Sequence, residues 1–162
     1  MRTSGTNPVC AESGHDRSGD SNHTRGELEA LMGGCLCGAV GYALNSPAFA
    51  GFCHCTDCQR FSGSGRLPFI GAARQRMKIT GPMTSFAMTS GRATITRHFC
   101  ARCGSPVATE PGSAPGFVIV YAGTLHEPDR FRPKFSQFTR SGCKWSPPDP
   151  RLPSYPAAAP QG

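Results

Sequence analysis

The sequence predicts an all-β fold, either a twisted sheet or a sandwich, in the central part of the chain. The 162 residues include 20 glycines and 15 prolines, and their combined share is nearly twice the usual value of roughly 12 per cent. Both residues interrupt helices, so a mostly helical fold is excluded. Short runs of strand-forming residues alternate with breaks such as Gly81-Pro82 and Pro111-Gly112, which is typical of strands joined by turns.

Eight segments are predicted as strands because each is a short run of strand-forming residues between turn-forming residues. In chain order they are residues 39–44, 68–72, 76–80, 84–90, 94–100, 106–110, 117–123 and 134–140. Only the segment from Thr56 to Phe61 resembles a helix, and it is long enough for about a turn and a half. It follows the central cysteines described below.

The two ends of the chain differ in composition from the middle. Residues 1–31 are rich in Ser, Gly, Thr, Asn and charge, and are predicted to be a disordered leader. Residues 146–162 contain six prolines, which predicts an extended or disordered tail. The folded domain is therefore expected over residues 33–145, and Met32, where the composition changes, is a candidate translation start.

Hydropathy excludes several classes of protein. The longest apolar run has six residues, Phe117 to Ala122, whereas a membrane helix needs about 18. The N-terminus has no hydrophobic segment of the kind that a secretory signal requires. We therefore expect a soluble, cytoplasmic protein without a membrane partner. In such a compartment, clustered cysteines are metal ligands or catalytic thiols more often than disulfides.

Positive charge is concentrated in the predicted domain. The formal net charge is +7, and the segment between Asp57 and Glu110 contains eight basic residues and no acidic one. A nucleic-acid surface is one interpretation. The other is that these charges balance buried thiolates and attract a small anion. Composition leaves both interpretations open.

Seven of the nine cysteines fall into three groups with metal-ligand spacing. The groups are Cys35-Leu36-Cys37, Cys53-His54-Cys55-Thr56-Asp57-Cys58 and Cys100-Ala101-Arg102-Cys103. An extended C-x-C places both sulfurs on one face, about 6 to 7 Å apart, and C-x-x-C is the spacing of a tight turn around tetrahedral zinc. Cys10 and Cys143 stand apart, and no role is assigned to them.

Ligand counting predicts two zinc ions per chain. Seven ligands exceed one tetrahedral site and are one short of two, so a four-cysteine site and a three-cysteine site use all of them. A closed four-ligand site is structural, whereas three protein ligands leave one position for water or substrate. The compact group can hold one metal alone: Cys53, Cys55 and Cys58. The separated pairs would then meet at the other: Cys35, Cys37, Cys100 and Cys103.

These motifs resemble the glutathione-dependent formaldehyde-activating (GFA) family, which includes the CENP-V domain. The resemblance is carried by Trp145 and by the motifs GGCLCGAV (33–40), CHCTDCQRFSGS (53–64), HFCARCGS (98–105) and AGTL (122–125). It implies a zinc-stapled, mostly antiparallel β fold with the same division of the cysteines, the four-cysteine zinc being structural and the three-cysteine zinc catalytic. The chain has His126 where the family often has Asp, and Ser136 where it often has His.

An open zinc site predicts the addition of a thiol to a small aldehyde. A coordinating thiol loses its proton to the metal, and the thiolate is the nucleophile that carbonyl addition needs. The resemblance implies glutathione and formaldehyde, giving S-hydroxymethylglutathione, so that the enzyme would be a carbon–sulfur lyase. The predicted catalytic residues are Cys53, Cys55, Cys58 and Arg60. The predicted contacts of glutathione, the thiol co-substrate, are Arg60, Ser62, Ser64, Arg97 and Arg102.

The alternative class is a non-catalytic, zinc-stapled binding module for protein or nucleic acid, as the CENP-V branch suggests. A nucleic-acid partner is less expected, because a binding platform interleaves aromatic and basic residues, whereas the phenylalanines here have strand spacings that suit a core. These are Phe61, Phe69, Phe86 and Phe99. An open three-cysteine site also has no obvious use in a structural module. The enzyme is therefore the preferred interpretation, with the aldehyde and the oligomeric state left open.

Overall fold

The computed structural model of the chain describes residues 29–90 and 93–160. Within these residues it has ten strands and one α-helix. The strands before the helix are β1 (Leu31–Gly34), β2 (Gly41–Leu44) and β3 (Phe49–Cys53), and the helix is α1 (Thr56–Ser62). The strands after it are β4 (Leu67–Ala73), β5 (Met77–Thr80), β6 (Met83–Ser90), β7 (Ala93–Cys100), β8 (Pro106–Pro111), β9 (Phe117–Tyr121) and β10 (Phe135–Gln137).

The strands form two sheets. A three-stranded antiparallel sheet has the order β1-β2-β5, and a seven-stranded sheet has the order β10-β3-β4-β9-β8-β7-β6. Pairing in the larger sheet is antiparallel except between β10 and β3, which are parallel. The prediction of a mostly β, largely antiparallel fold with one short helix is confirmed.

Two strands are missing from the sequence prediction, β1 and β3. Their sequences, LMGG and FAGFC, contain glycine and no β-branched residue, so their intrinsic preference for strand is weak. They form because partners are available: β1 pairs with β2, and β3 lies between β10 and β4. The second omission matters for function, since β3 ends at Cys53.

Two predicted strands end earlier in the structure. The segment predicted over 117–123 ends at Tyr121, because Ala122–Thr124 forms a 3-10 turn. The segment predicted over 134–140 is reduced to Phe135–Gln137. Phe138 follows with a φ of 56°, a left-handed conformation that cannot continue a strand.

The buried side chains form two clusters. The larger one is aliphatic and includes Leu44, Val107 and Val120. The smaller one surrounds the central cysteines: Cys53, Leu67, Phe69 and Tyr121 are buried in it, with Phe61 packed against them. Phe86, expected in a core, is 59% exposed, because β6 is the outermost strand of its sheet and its neighbouring side chains are exposed as well.

Both ends of the described chain pack on the domain. Strand β1 begins at Leu31, the last residue of the predicted leader, and this side chain is buried. The described part of the proline-rich tail, residues 146–160, contains turns and bends. It lies beside β10, where Ser136 and Ser154 form a parallel bridge. Backbone hydrogen bonds of 2.9 Å run from Ser136 N–H to the Pro153 carbonyl and from Tyr155 N–H to the Ser136 carbonyl. No helix in the described parts of the chain is long and apolar enough to cross a membrane.

Candidate metal centres and active site

The four-cysteine cluster brings together two distant parts of the chain. The sulfurs of Cys35, Cys37, Cys100 and Cys103 all lie within 4.8 Å of one another. The Sγ–Sγ distances are 3.6 Å from Cys35 to Cys37 and 3.8 Å from Cys37 to Cys100. Tetrahedral zinc with Zn–S bonds of about 2.3 Å needs sulfurs about 3.8 Å apart. The donor set and its spacing therefore fit a closed zinc site.

The backbone of this cluster consists of two similar turns. One turn follows β1 and contains Cys35 and Cys37, so the C-x-C segment is not extended as the sequence predicts. The other turn begins at Cys100, the last residue of β7. Gly38 N–H donates to the Cys35 carbonyl at 3.1 Å, and Gly104 N–H donates to the Cys100 carbonyl at 2.9 Å. Both glycines have left-handed φ angles, 74° and 72°, which only glycine adopts readily. The turns aim their sulfurs inward.

Backbone N–H groups point at the sulfurs of this cluster. Val40 N–H donates to Cys35 Sγ at 3.2 Å, and Arg102 N–H donates to Cys100 Sγ at 3.4 Å. Hydrogen bonds from the Ser105 side chain and backbone are the main cause that lowers the pKa of Cys103 to about 5. Metal ligands must be thiolates, so these donors favour the form of cysteine that binds zinc.

The three-cysteine cluster is compact in sequence and partly open to solvent. The sulfurs of Cys53, Cys55 and Cys58 lie within 4.8 Å of one another, and no His, Asp or Glu of the described residues joins them. Cys53 is buried at the end of β3, whereas Cys55 and Cys58 are half-buried. Cys55 is the N-cap of α1, and its Sγ accepts from Cys58 N–H at 3.4 Å. The helix start therefore sets the geometry of the second and third ligands.

Hydrogen bonds among these three sulfurs give the three thiols very different pKa values. Those from Cys53 and Cys58 lower the pKa of Cys55 to about 2. Those with Cys55 and Cys58, together with burial, raise the pKa of Cys53 far above its usual value. The pKa of Cys58 is raised to about 11: the Cys53 hydrogen bond and the charge of Arg97 lower it, but the Cys55 hydrogen bond, burial and the Cys55 charge prevail. A metal that binds all three must displace protons.

A buried polar group lies beside this cluster. Arg97 on β7 is only 5% exposed, and its guanidinium carbon lies 4.2 Å from the centre of the Phe61 ring on α1. The Phe61 ring is 5.4 Å from that of Tyr121. The Tyr121 hydroxyl forms a hydrogen bond with Thr109, and burial raises its pKa to about 12, although that bond and the charge of Arg97 act in the opposite direction. The tyrosine is therefore a neutral hydrogen-bonding group at neutral pH.

The predicted substrate contacts on and after α1 differ in availability. Arg60 is exposed in the last turn of the helix. The Ser62 hydroxyl donates to the Cys58 carbonyl at 2.8 Å and accepts from Ser64 N–H at 3.3 Å, so it is engaged by the backbone. Ser64 is exposed just beyond the helix. Arg60 and Ser64 are thus the two that present free surface near the cluster.

The other two predicted contacts are placed differently. Arg97 is buried beside Phe61 and Tyr121, so it stands next to the three-cysteine cluster without presenting a surface to solvent. Arg102 is exposed in the turn between two ligands of the four-cysteine cluster, and its backbone N–H donates to Cys100 Sγ. The structure thus associates Arg97 with one cluster and Arg102 with the other.

Several residues around the three-cysteine cluster were not predicted from the sequence. The Gln59 amide donates to the His54 carbonyl at 2.7 Å and to the Ser141 carbonyl at 2.8 Å. His54 is fully buried, and neither ring nitrogen has a hydrogen-bond partner among the described residues. Tyr121 lies in a run that is typical of a strand, which gives no sign of a role at the site. The position of Gln59 directly after Cys58 was the one available signal.

The fold and the two clusters define a mostly β protein with two sites suited to metal. The sequence model of the glutathione-dependent formaldehyde-activating enzyme family matches residues 30–141. This is more than half of the chain, so the chain belongs to that family, and the resemblance found in the sequence is confirmed.

Comparison with individual proteins adds little to this assignment. A solved crystal structure of a Rhodobacter sphaeroides protein is similar, with a TM-score of 0.49 and 23% sequence identity. The match covers 59% of this chain and 88% of that one. No curated protein matches the chain significantly. The family and the geometry of the cysteines are therefore the basis for a functional proposal.

Proposed function

We propose that the protein is a zinc-dependent carbon–sulfur lyase-type enzyme that adds a thiol, glutathione first, to a small aldehyde such as formaldehyde. The observation that supports this most is the three-cysteine cluster, which is partly open to solvent at Cys55 and Cys58 and has no fourth ligand residue among the described residues. The family description, glutathione-dependent formaldehyde-activating enzyme, supports glutathione and formaldehyde as the substrates. We expect two zinc ions per chain, one structural and one open, and a cytoplasmic location.

The proposed reaction takes place at the three-cysteine site. Cys53, Cys55 and Cys58 would hold the open zinc, which when bound supplies a position at which a thiol is kept as thiolate. In the reaction the thiol loses its proton and a C–S bond forms to the carbonyl carbon. The carbonyl π pair moves to oxygen, which takes up a proton. The product is a hydroxymethyl thioether, and no oxidant or reductant is consumed.

The chain's own polar residues would orient the substrates. Arg60 is exposed on the helix that carries Cys58, and is proposed to attract the carboxylates of glutathione. The exposed Ser64 hydroxyl is proposed to donate to the developing oxyanion, with Ser62 fixing the turn through its bond to the Cys58 carbonyl. Arg97, buried beside Phe61 of the same helix, would offset thiolate charge at the three-cysteine cluster, and Arg102 would add positive charge at the four-cysteine cluster.

The test is the exchange rate between glutathione, 13C-formaldehyde and their adduct, measured by NMR with and without the zinc-loaded protein. Addition is also spontaneous, so the expected result is exchange faster than in buffer, with little effect of protein on S-methylglutathione. Arg60→Gln should weaken glutathione binding in calorimetry, and less so at high salt, because screening acts over about 10 Å at 0.1 M. The matched control is Arg76→Gln, which removes an exposed charge elsewhere.

Two results would contradict the proposal. One is zinc-loaded protein that leaves the exchange rate at its spontaneous value. The other is equal binding of glutathione and S-methylglutathione, since a blocked thiol cannot enter the open position. Either result would favour the non-catalytic binding module instead.

A further inference from the structure

Arg97 is a buried positive charge. It is only 5% exposed, and its Nε is buried without a hydrogen-bond partner among the described residues. The ion pairs described in the structure use other bases: Glu110 with Arg74 and with His98, Glu127 with Arg130, and Asp149 with Arg151. Burying a charge is costly unless an opposite charge or strong hydrogen bonds compensate it. The position of Arg97 therefore calls for a source of negative charge.

The three-cysteine cluster is the negative group next to it. Arg97 lies over the Phe61 ring on α1, the helix that also carries Cys58, and Cys58 and Phe61 pack against the same buried cluster. One zinc ion with three thiolates has a net charge of −1, and a fourth thiolate would make it −2. A single buried guanidinium brings the first of these to neutrality.

Two neighbours hold the guanidinium in this place. The ring of Phe61 offers its electron-rich face, a contact that favours arginine over other cations. The Tyr121 ring lies against that of Phe61, and its hydroxyl is hydrogen-bonded to Thr109, which lies opposite Arg97 on the neighbouring strand. Thr109 and Tyr121 lie on β8 and β9, the next strands of the same sheet. The sheet therefore fixes the position of the Arg97 guanidinium group.

We propose that Arg97 is the built-in counter-cation of the three-cysteine site, and that Tyr121 and Thr109 are positioning residues that hold its guanidinium against the metal–thiolate cluster. Arg97 thereby acts on the metal and its ligands and not as a receptor for a substrate carboxylate. This inference rests on the proposed metal site and not on the thiol–aldehyde reaction.

The test measures how tightly zinc is held at the three-cysteine site. Zinc-loaded wild type and variants are titrated with a graded series of chelators, and mass spectrometry reports which cysteines become open to iodoacetamide. Arg97→Gln should weaken zinc at Cys53, Cys55 and Cys58 by about 10- to 100-fold, the usual effect of losing a partner of a metal ligand. Zinc at the four-cysteine site should be unaffected, and Arg97→Lys should recover part of the loss.

A second readout separates the charge from a merely structural role. Loss of the counter-cation leaves more negative charge on the bound sulfurs, so Arg97→Gln should speed alkylation of the zinc-loaded cluster, whereas Arg97→Lys should not. Tyr121→Phe keeps the ring but removes the hydroxyl, and should shift both readouts in the same direction by a smaller factor. If Arg97→Gln does not fold, the result for Tyr121→Phe decides the test. Arg76→Gln, with the same charge change at an exposed position, should match the wild type.

The inference is overturned if Arg97→Gln and Tyr121→Phe both hold zinc as tightly as the wild type and react at the wild-type rate. This outcome would leave the proposed reaction untouched. Conversely, a wild type that loads both metals and shows no catalysis of adduct formation would remove the proposed reaction and leave the role of Arg97 standing.

Discussion

Gln59 connects the helix of the three-cysteine cluster to the rest of the domain. Its amide group donates to the carbonyl of His54, just before the helix, and to that of Ser141, in the turn after β10. His54 N–H in turn donates to the Gln137 carbonyl at 2.9 Å. The two ligands on either side of His54, Cys53 and Cys55, are therefore held by hydrogen bonds that reach across to another part of the chain.

We predict that Gln59→Ala lowers the free energy of unfolding by about 1–3 kcal/mol, because two carbonyls lose a donor at a partly buried position. It should also make the three-cysteine site release zinc to a weaker chelator than the wild type requires. Urea denaturation and chelator titration measure the two effects. Gln75→Ala is the control, since Gln75 is exposed in a turn away from this helix. Equal stability of both variants would show that the Gln59 contacts do not support the site.

The residues that surround the ligands show how far single residues can be predicted. Cysteine spacing alone led to the grouping of four and three that the structure contains, because ligands of one small ion must lie close together. Arg97 and Arg102 could not be distinguished in the same way, since each is near Cys100 in sequence. Which arginine is buried depends on the sheet and on α1 packing against it, a tertiary effect without a local signal.

Strand β10 and the tail form one element of the fold although they read as separate segments in the sequence. The tail supplies carbonyls to the N–H groups of Ser136, Phe138 and Thr139, and the ring of Tyr155 lies edge-on to Phe135, 6.3 Å away. A proline-rich tail cannot be recognised as part of a sheet from composition, because proline lacks a donor but still accepts. Docking depends here on carbonyl acceptors, on the N–H donors of Tyr155 and Ala159 and on a ring contact.

A chain that stops after Arg151 should be less stable than the full chain. It loses the hydrogen bonds to Pro153, Tyr155 and Ala157 and the contact between Tyr155 and Phe135, while the shortened tail regains entropy. We expect the melting temperature to fall by about 5 °C or more, as a loss of roughly 2 kcal/mol would give in a domain of this size. Differential scanning calorimetry is the measurement. An unchanged melting temperature would mean that the docked tail contributes no net stability.

At the scale of the whole domain, the described residues form two sheets, and the four-cysteine cluster joins a segment of each. Cys35 and Cys37 follow β1 of the small sheet, whereas Cys100 ends β7 of the large sheet. Cys37 and Cys100 are 63 positions apart in sequence, so a metal at this cluster closes a long loop. The three-cysteine cluster spans only residues 53–58, and a metal there crosslinks little beyond the start of one helix.

The two clusters should therefore respond differently to the loss of a ligand. A structural zinc contributes about 10–16 kcal/mol of binding free energy, which is as large as the whole stability of a typical domain, about 5–15 kcal/mol. Cys100→Ser should accordingly leave little folded, soluble protein. Cys55→Ser should remain folded, with a melting temperature within a few degrees of the wild type, retain one zinc per chain and lose catalysis of adduct formation. Circular dichroism, metal analysis and the exchange assay on the two purified variants measure these outcomes. Equal loss of thermal stability in both would contradict the asymmetry, because it would mean that the local cluster supports the fold as much as the one that joins the sheets.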